Sequence, residues 1–106
     1  MTSIEKAYKI KEILEEKKAI DTNILHVQDK FVIADYFVIA TGTSSTHVKA
    51  LADEVEFELK NLDVLPLSHE GKMSNSWVLL DCGDVIVHIF SKEARDFYDL
   101  EKLWNR

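Results

Sequence analysis

Apolar residues recur along the chain with two different periods, and the switches between them mark its elements. From Ser3 to Lys18, Ile4, Ala7, Ile10 and Leu14 return at helical spacing, with Ile13 flanking. Thr2 or Ser3 can cap the start of this predicted helix, and Glu5 sits in its first turn. Lys17 and Lys18 close it, which suits the negative end of the helix dipole. Asn23–Val27 reads as a short strand and Gln28-Asp29-Lys30 as a turn. Phe31–Thr41 is dense in β-branched and aromatic residues, but Asp35 interrupts it, which leaves Tyr36–Thr41 as the firm strand.

Thr43-Ser44-Ser45-Thr46 then leads into a second helix, striped by Val48, Leu51, Ala52, Val55, Leu59 and Leu62. Asp53, Glu54, Glu56 and Glu58 make its outer face acidic. A strand is expected over Val64–His69 and a loop over Glu70–Asn75. Residues 76–90, SWVLLDCGDVIVHIF, read as a hairpin. Ser91 is placed to cap a last helix striped by Phe97, Leu100, Leu103 and Trp104. The order predicts a strand–helix–strand crossover followed by antiparallel pairing, hence an α/β fold: a single domain over residues 1–106 with a mixed β-sheet packed on helices.

In the hairpin, Cys82 and Gly83 as the two loop residues would pair Asp81 with Asp84, Leu79 with Ile86 and Trp77 with His88. Val78, Leu80, Val85, Val87 and Ile89 then share a wholly aliphatic face, the expected core face. Trp77, Leu79, Asp81, Asp84, Ile86, His88 and Phe90 share the other. An apolar patch with a Trp and a carboxylate rim has the composition of a protein-binding surface. A bulge at Gly83 would shift the pairing, and a covering helix would make Trp77 a core residue, the reading that composition alone favours.

Composition narrows the function. At 106 residues the chain can bury a core without disulfides, and its single cysteine, Cys82, excludes a disulfide framework and a Cys-based zinc site. The net charge of −6 argues against an RNA-binding module, which needs clustered Lys and Arg, and suits a basic partner. No run reaches membrane-spanning length, and the charged, Glu-rich N-terminus resembles neither a signal peptide nor a mitochondrial presequence, so a cytoplasmic location is expected.

Signals for chemistry are sparse. Gly42-Thr43-Ser44-Ser45 lies where a strand enters a helix, a place that can hold phosphate, but the Lys of a P-loop is missing and a Ser N-cap explains it better. Asp81, Asp84 and His88 are too spread along a hairpin to hold one ion, and Asp81 is expected to bond its own turn. Neither the four histidines, Ser44 nor Cys82 falls in a metal or nucleophile signature. No catalytic residue, metal or cofactor is expected.

Several stretches taken together resemble the ribosomal silencing factors, the Iojap family. They are Asp35-Tyr36-Phe37, Gly42-Thr43-Ser44-Ser45, Glu70-Gly71, Trp77-Val78-Leu79-Leu80-Asp81, Val87-His88 and Phe97-Tyr98-Asp99-Leu100-Glu101. The resemblance implies binding to the large ribosomal subunit through ribosomal protein L-fourteen, on the surface that meets the small subunit. It implies a steric block of subunit joining that lowers translation when nutrients are short. It also implies a fold like that of nucleotidyltransferases, without catalysis. On this resemblance the Trp77 face becomes the expected docking surface, with Trp77, Asp81 and His88 foremost and Glu70, Tyr98, Asp99 and Glu101 as secondary members. A minor contact with ribosomal RNA and a homodimer through Trp77 and Phe90 stay open. The competing reading is a small nucleotidyltransferase, active or degenerate; the Asp-x-Asp pair that would hold its metal ions is missing after Ser44.

Overall fold

The computed structural model describes residues 2–27, 34–64, 76–97 and 102, and the backbone of 68–70 and 98. Among the described residues three helices and five strands follow in the predicted order: α1 (Ser3–Glu16), β1 (Ile20–His26), β2 (Tyr36–Thr41), α2 (Ser45–Asn61), β3 (Ser68–Glu70), β4 (Trp77–Asp81), β5 (Val85–Phe90) and α3 (Lys92–Tyr98). The strands form one mixed sheet, ordered β1-β2-β5-β4-β3. β2 and β5 pair in parallel at its centre, and every other pair is antiparallel. The expected turn at Gln28–Lys30, the loop at Gly71–Asn75 and the stripe residues Leu100, Leu103 and Trp104 lie outside the described residues.

Position in the sheet explains the burial of each strand. β5 is buried at every residue and β2 at all but its first, because both are flanked by strands and covered on both faces. β4 alternates half-buried and buried residues, the signature of a strand with one well-packed face. That packed face is the predicted aliphatic one. Val78, Leu80, Val85, Val87 and Ile89 join Val38 and Ala40 under Ala7, Ile10 and Leu14 of α1 and Val48, Leu51, Val55 and Leu59 of α2.

The helix ends follow from local chemistry. Thr2 caps α1 in a reciprocal capping box: its Oγ1 accepts from the Glu5 N–H at 3.2 Å, and Glu5 Oε1 accepts from the Thr2 N–H at 2.8 Å. Both long helices stop in Schellman motifs without glycine. Lys18 (φ 69°) and Asp63 (φ 59°) take the left-handed conformation. Ala19 N–H then reaches Leu14 O at 3.0 Å, and Val64 N–H reaches Leu59 O at 2.8 Å. Ala19 and Val64 also pack on the aliphatic core, which supplies the apolar contact that usually accompanies this motif.

The hairpin register differs from the expectation. Trp77 pairs with Phe90, Leu79 with His88 and Asp81 with Ile86. Cys82 N–H bonds Val85 O at 2.9 Å, so the loop is Gly83-Asp84 rather than Cys82-Gly83. Gly83 (φ 86°) occupies the first loop position and Asp84 keeps a negative φ, the pattern of a type II′ turn. The slide is two residues, an even number, so each side chain stays on its predicted face.

Candidate functional site

The sheet has a second face, opposite α1 and α2, and it carries aromatic residues. Phe37, Ile39, Ile86 and Phe90 are buried there with Leu25, Val27, Ala34 and Ala94 of α3, and half-buried Trp77 and Leu79 pack against them. Thr41 completes the β2 row, its Oγ1 held by Arg95 Nη1 at 2.7 Å.

His88 lies in the middle of this face, on β5, 4 % exposed. Its ring meets Phe37 edge-on at 4.7 Å between centroids and lies parallel to Phe90 at 6.2 Å. Trp77 sits diagonally across from it on β4, its ring 5.8 Å from His88 and 5.0 Å from Phe90. The indole Nε1–H donates to His88 Nδ1 at 3.1 Å. An indole nitrogen can only donate, so Nδ1 is the acceptor and the neutral ring carries its proton on Nε2. Nε2 is buried with no hydrogen-bond partner among the described residues. A buried donor left this way costs about 1–3 kcal/mol. Burial pushes the His88 pKa down from 6.5 to about 4, so the ring is neutral at physiological pH.

Asp81 is at the far end of β4, four residues from Trp77 or ~13 Å along an extended strand. Its Oδ1 accepts from the Gly83 N–H at 2.9 Å, the turn bond expected of it. Trp77 and His88 therefore form one unit, and Asp81 stands apart at the turn. β3 places the Glu70 backbone opposite Leu79, and Tyr98 ends α3. Asp99 and Glu101 lie outside the described residues. Phe37, part of the family-like Asp35-Tyr36-Phe37 stretch, was not among the expected docking residues. Its place against His88 follows only from the parallel pairing of β2 with β5, which joins strands far apart in the chain.

The other family-like stretches hold the fold together. Ser44 caps α2, its Oγ accepting from the His47 N–H at 3.1 Å. Thr43 N–H donates to His47 Nδ1 at 2.9 Å, and His47 Nε2 reaches Lys17 O at 2.8 Å, which ties the start of α2 to the end of α1. Gly42 has no room for a side chain: a Cβ there would lie 2.7 Å from Val48 Cγ2 and 2.9 Å from the Val48 nitrogen. Asp35 and Asp84 converge on the Ser3 hydroxyl at 2.8 and 2.6 Å, and Lys6 Nζ holds Asp84 at 2.6 Å. Burial works to raise the Asp84 pKa, but the hydrogen bonds from Lys6 and Ser3 and the Lys6 charge outweigh it and hold it below the ordinary value. Burial pushes the Cys82 thiol up to about 11, far from a nucleophile's range. Among the described residues no three His, Cys, Asp or Glu side chains converge on a metal position, and no helix is long and apolar enough to cross a membrane.

Comparison with known proteins gives a consistent result. The family described as "ribosomal silencing factor during starvation" matches residues 1–106. Ribosomal silencing factor RsfS of Haemophilus influenzae is 44 % identical over 85 residues, covering 78 % of this chain and 83 % of that protein. The mouse protein named for mitochondrial assembly of the ribosomal large subunit is 33 % identical over 95 residues, covering 87 % of this chain and 42 % of its own length. A crystal structure of a Chromobacterium violaceum protein superposes with a TM-score of 0.95 at 38 % identity, covering 99 % of this chain and 88 % of that one. The chain belongs to the ribosomal silencing factor family.

Proposed function

We propose that this protein binds the large ribosomal subunit through ribosomal protein L-fourteen and blocks joining of the small subunit, repressing translation when nutrients are limiting. The family match over the whole chain carries this reading. The mechanism is steric: the factor occupies area that the small subunit requires, and needs neither turnover nor cofactor. Its place of action is the cytoplasm. The β4 side of the second face, where Trp77, Leu79 and Asp81 are half-buried while the β2 and β5 residues lie covered, supplies the docking surface, with Trp77 as its aromatic anchor. Asp81 lies at its rim, and Glu70, Tyr98, Asp99 and Glu101 are the secondary contacts. The carboxylates of Glu70, Asp81, Asp99 and Glu101, on a chain of net charge −6, complement a basic ribosomal protein. A contact with ribosomal RNA is a minor term, and self-association through the same face would compete with docking. His88 acts from beneath this surface, since its ring is buried.

Nucleotidyl transfer has less support. The Ser44 hydroxyl caps α2, and Gly42 is explained by its closeness to Val48. The deciding experiment is a pull-down of separated large and small subunits with wild type and Trp77→Ala. The expected result is capture of the large subunit alone, weakened about tenfold or more in the variant, as befits an anchor residue, with an unchanged circular dichroism spectrum. Absence of binding to either subunit overturns the reading, and magnesium-dependent nucleotide binding in calorimetry would favour the enzyme instead.

A further inference from the structure

The Trp77–His88 pair has a feature that packing alone does not explain. His88 sits between Ile39 and Leu79 in its cross-strand row, where both neighbours are aliphatic. An aliphatic residue there would leave no buried donor orphaned, whereas His88 leaves Nε2 without a partner among the described residues. The ring's Nδ1 accepts from the Trp77 indole N–H at 3.1 Å. Phe37 meets the ring edge-on at 4.7 Å and Phe90 lies parallel to it at 6.2 Å, so the imidazole is flanked by two aromatic rings. Trp77 is the first residue of β4 and pairs with Phe90 of β5.

We infer that His88 is a positioning residue for docking: its Nδ1 holds the Trp77 indole with the N–H edge inward and an apolar edge toward the partner. This inference rests on the reading of Trp77 as the docking anchor. Holding the indole in one orientation before contact removes the ordering that binding would otherwise require. It also gives the partner an apolar surface without an exposed donor to satisfy. His88 remains an acceptor throughout the physiological range because its ring stays neutral.

The test uses the full chain, purified large subunits and ¹⁵N-labelled protein. His88→Leu removes the acceptor, and His88→Asn restores an oxygen near the Nδ1 position. The Trp77 indole N–H resonance, assigned by comparison with Trp77→Phe, reports the hydrogen bond directly. In His88→Leu that resonance is expected to move and to exchange with solvent, while affinity for the large subunit falls about tenfold, or ~1.4 kcal/mol. His88→Asn is expected to recover both, and His88→Leu is expected to add nothing in a Trp77→Ala background. Wild-type affinity in a folded His88→Leu, or an unmoved resonance, overturns the inference. An equal loss with and without Trp77 overturns it as well, since His88 would then act by another route. Should His88→Leu fail to fold, Asn against Gln at this position decides: Gln places its oxygen near Nε2, so equal behaviour of the two refutes a role for Nδ1. Trp77→Ala binding as tightly as wild type would defeat the docking reading itself. The indole resonance would still decide whether His88 orients the ring.

Discussion

The two faces of the sheet share the same strands yet are built on different principles. The face under α1 and α2 is closed by two long amphipathic helices and filled by aliphatic side chains, most of them with no exposure at all. The other face receives only the short α3 among the described helices, and it uses Phe37, Phe90, Trp77 and His88. Aliphatic packing is non-directional and tolerant, so it suits a face whose task is stability. Aromatic rings and a hydrogen-bonded imidazole have preferred geometries, so they suit a face whose task is to hold a surface in one shape. The orphaned His88 donor is the stability that the second face gives up.

That contrast breaks most visibly under truncation. Leu51→Ala, in the fully buried aliphatic core, is expected to destabilise by about 2–5 kcal/mol in urea denaturation, whereas Leu79→Ala, half-buried on the other face, should lose only ~1 kcal/mol. Equal losses would show that the two faces carry stability alike.

Acid sharpens the same contrast. The unfolded chain takes up a proton at His88 below about 6.5, and the folded chain only below about 4. Between those values the unfolded state holds more protons, so stability falls as pH falls, by up to ~3 kcal/mol. His88→Leu should flatten the stability profile across this window. Asp84 titrates in a lower one: its depressed pKa contributes stability above the ordinary carboxylate value of 3.8 that is lost as pH falls through its folded pKa.

Gly42→Ala tests the junction between β2 and α2, where the added Cβ meets a backbone nitrogen that cannot swing aside. A loss of about 1–3 kcal/mol is expected in thermal unfolding. The smallest effects are gains. Lys18→Gly and Asp63→Gly relieve left-handed residues that end α1 and α2 and should each stabilise by a few tenths to ~1 kcal/mol. Unchanged stability would show that the Schellman contacts of Ala19 and Val64 already compensate for the strain.

Much of the fold was legible because it rests on local periodicity. The boundaries of Tyr36–Thr41 matched, and the helix stripes named the residues that α1 and α2 bury, except that Leu62, at the C-cap of α2, is exposed, as is Phe97 of the last stripe. Less regular stretches were harder to place. β1 begins at Ile20 rather than Asn23, and its register shifts between Ile20 and Asn23, where Asp21 (φ 48°) is left-handed. Asp takes that conformation more readily than most residues, but an isolated Asp is too common to mark one. The hairpin register was missed because a glycine can serve either loop position, and only the backbone geometry tells which.

The sequence by itself determined which residues share a face, because side chains alternate along a strand and recur along a helix whatever lies opposite. It also determined membership of a family, since the motifs keep their order and spacing. The tertiary structure alone decided how deep each residue lies on the second face. Depth depends on what crosses above a strand, and Phe37 and His88 meet only through a parallel pairing of β2 with β5. For the same reason only the fold could turn a tryptophan and a histidine, eleven residues apart, into a hydrogen-bonded pair with one ring buried and the other at the surface.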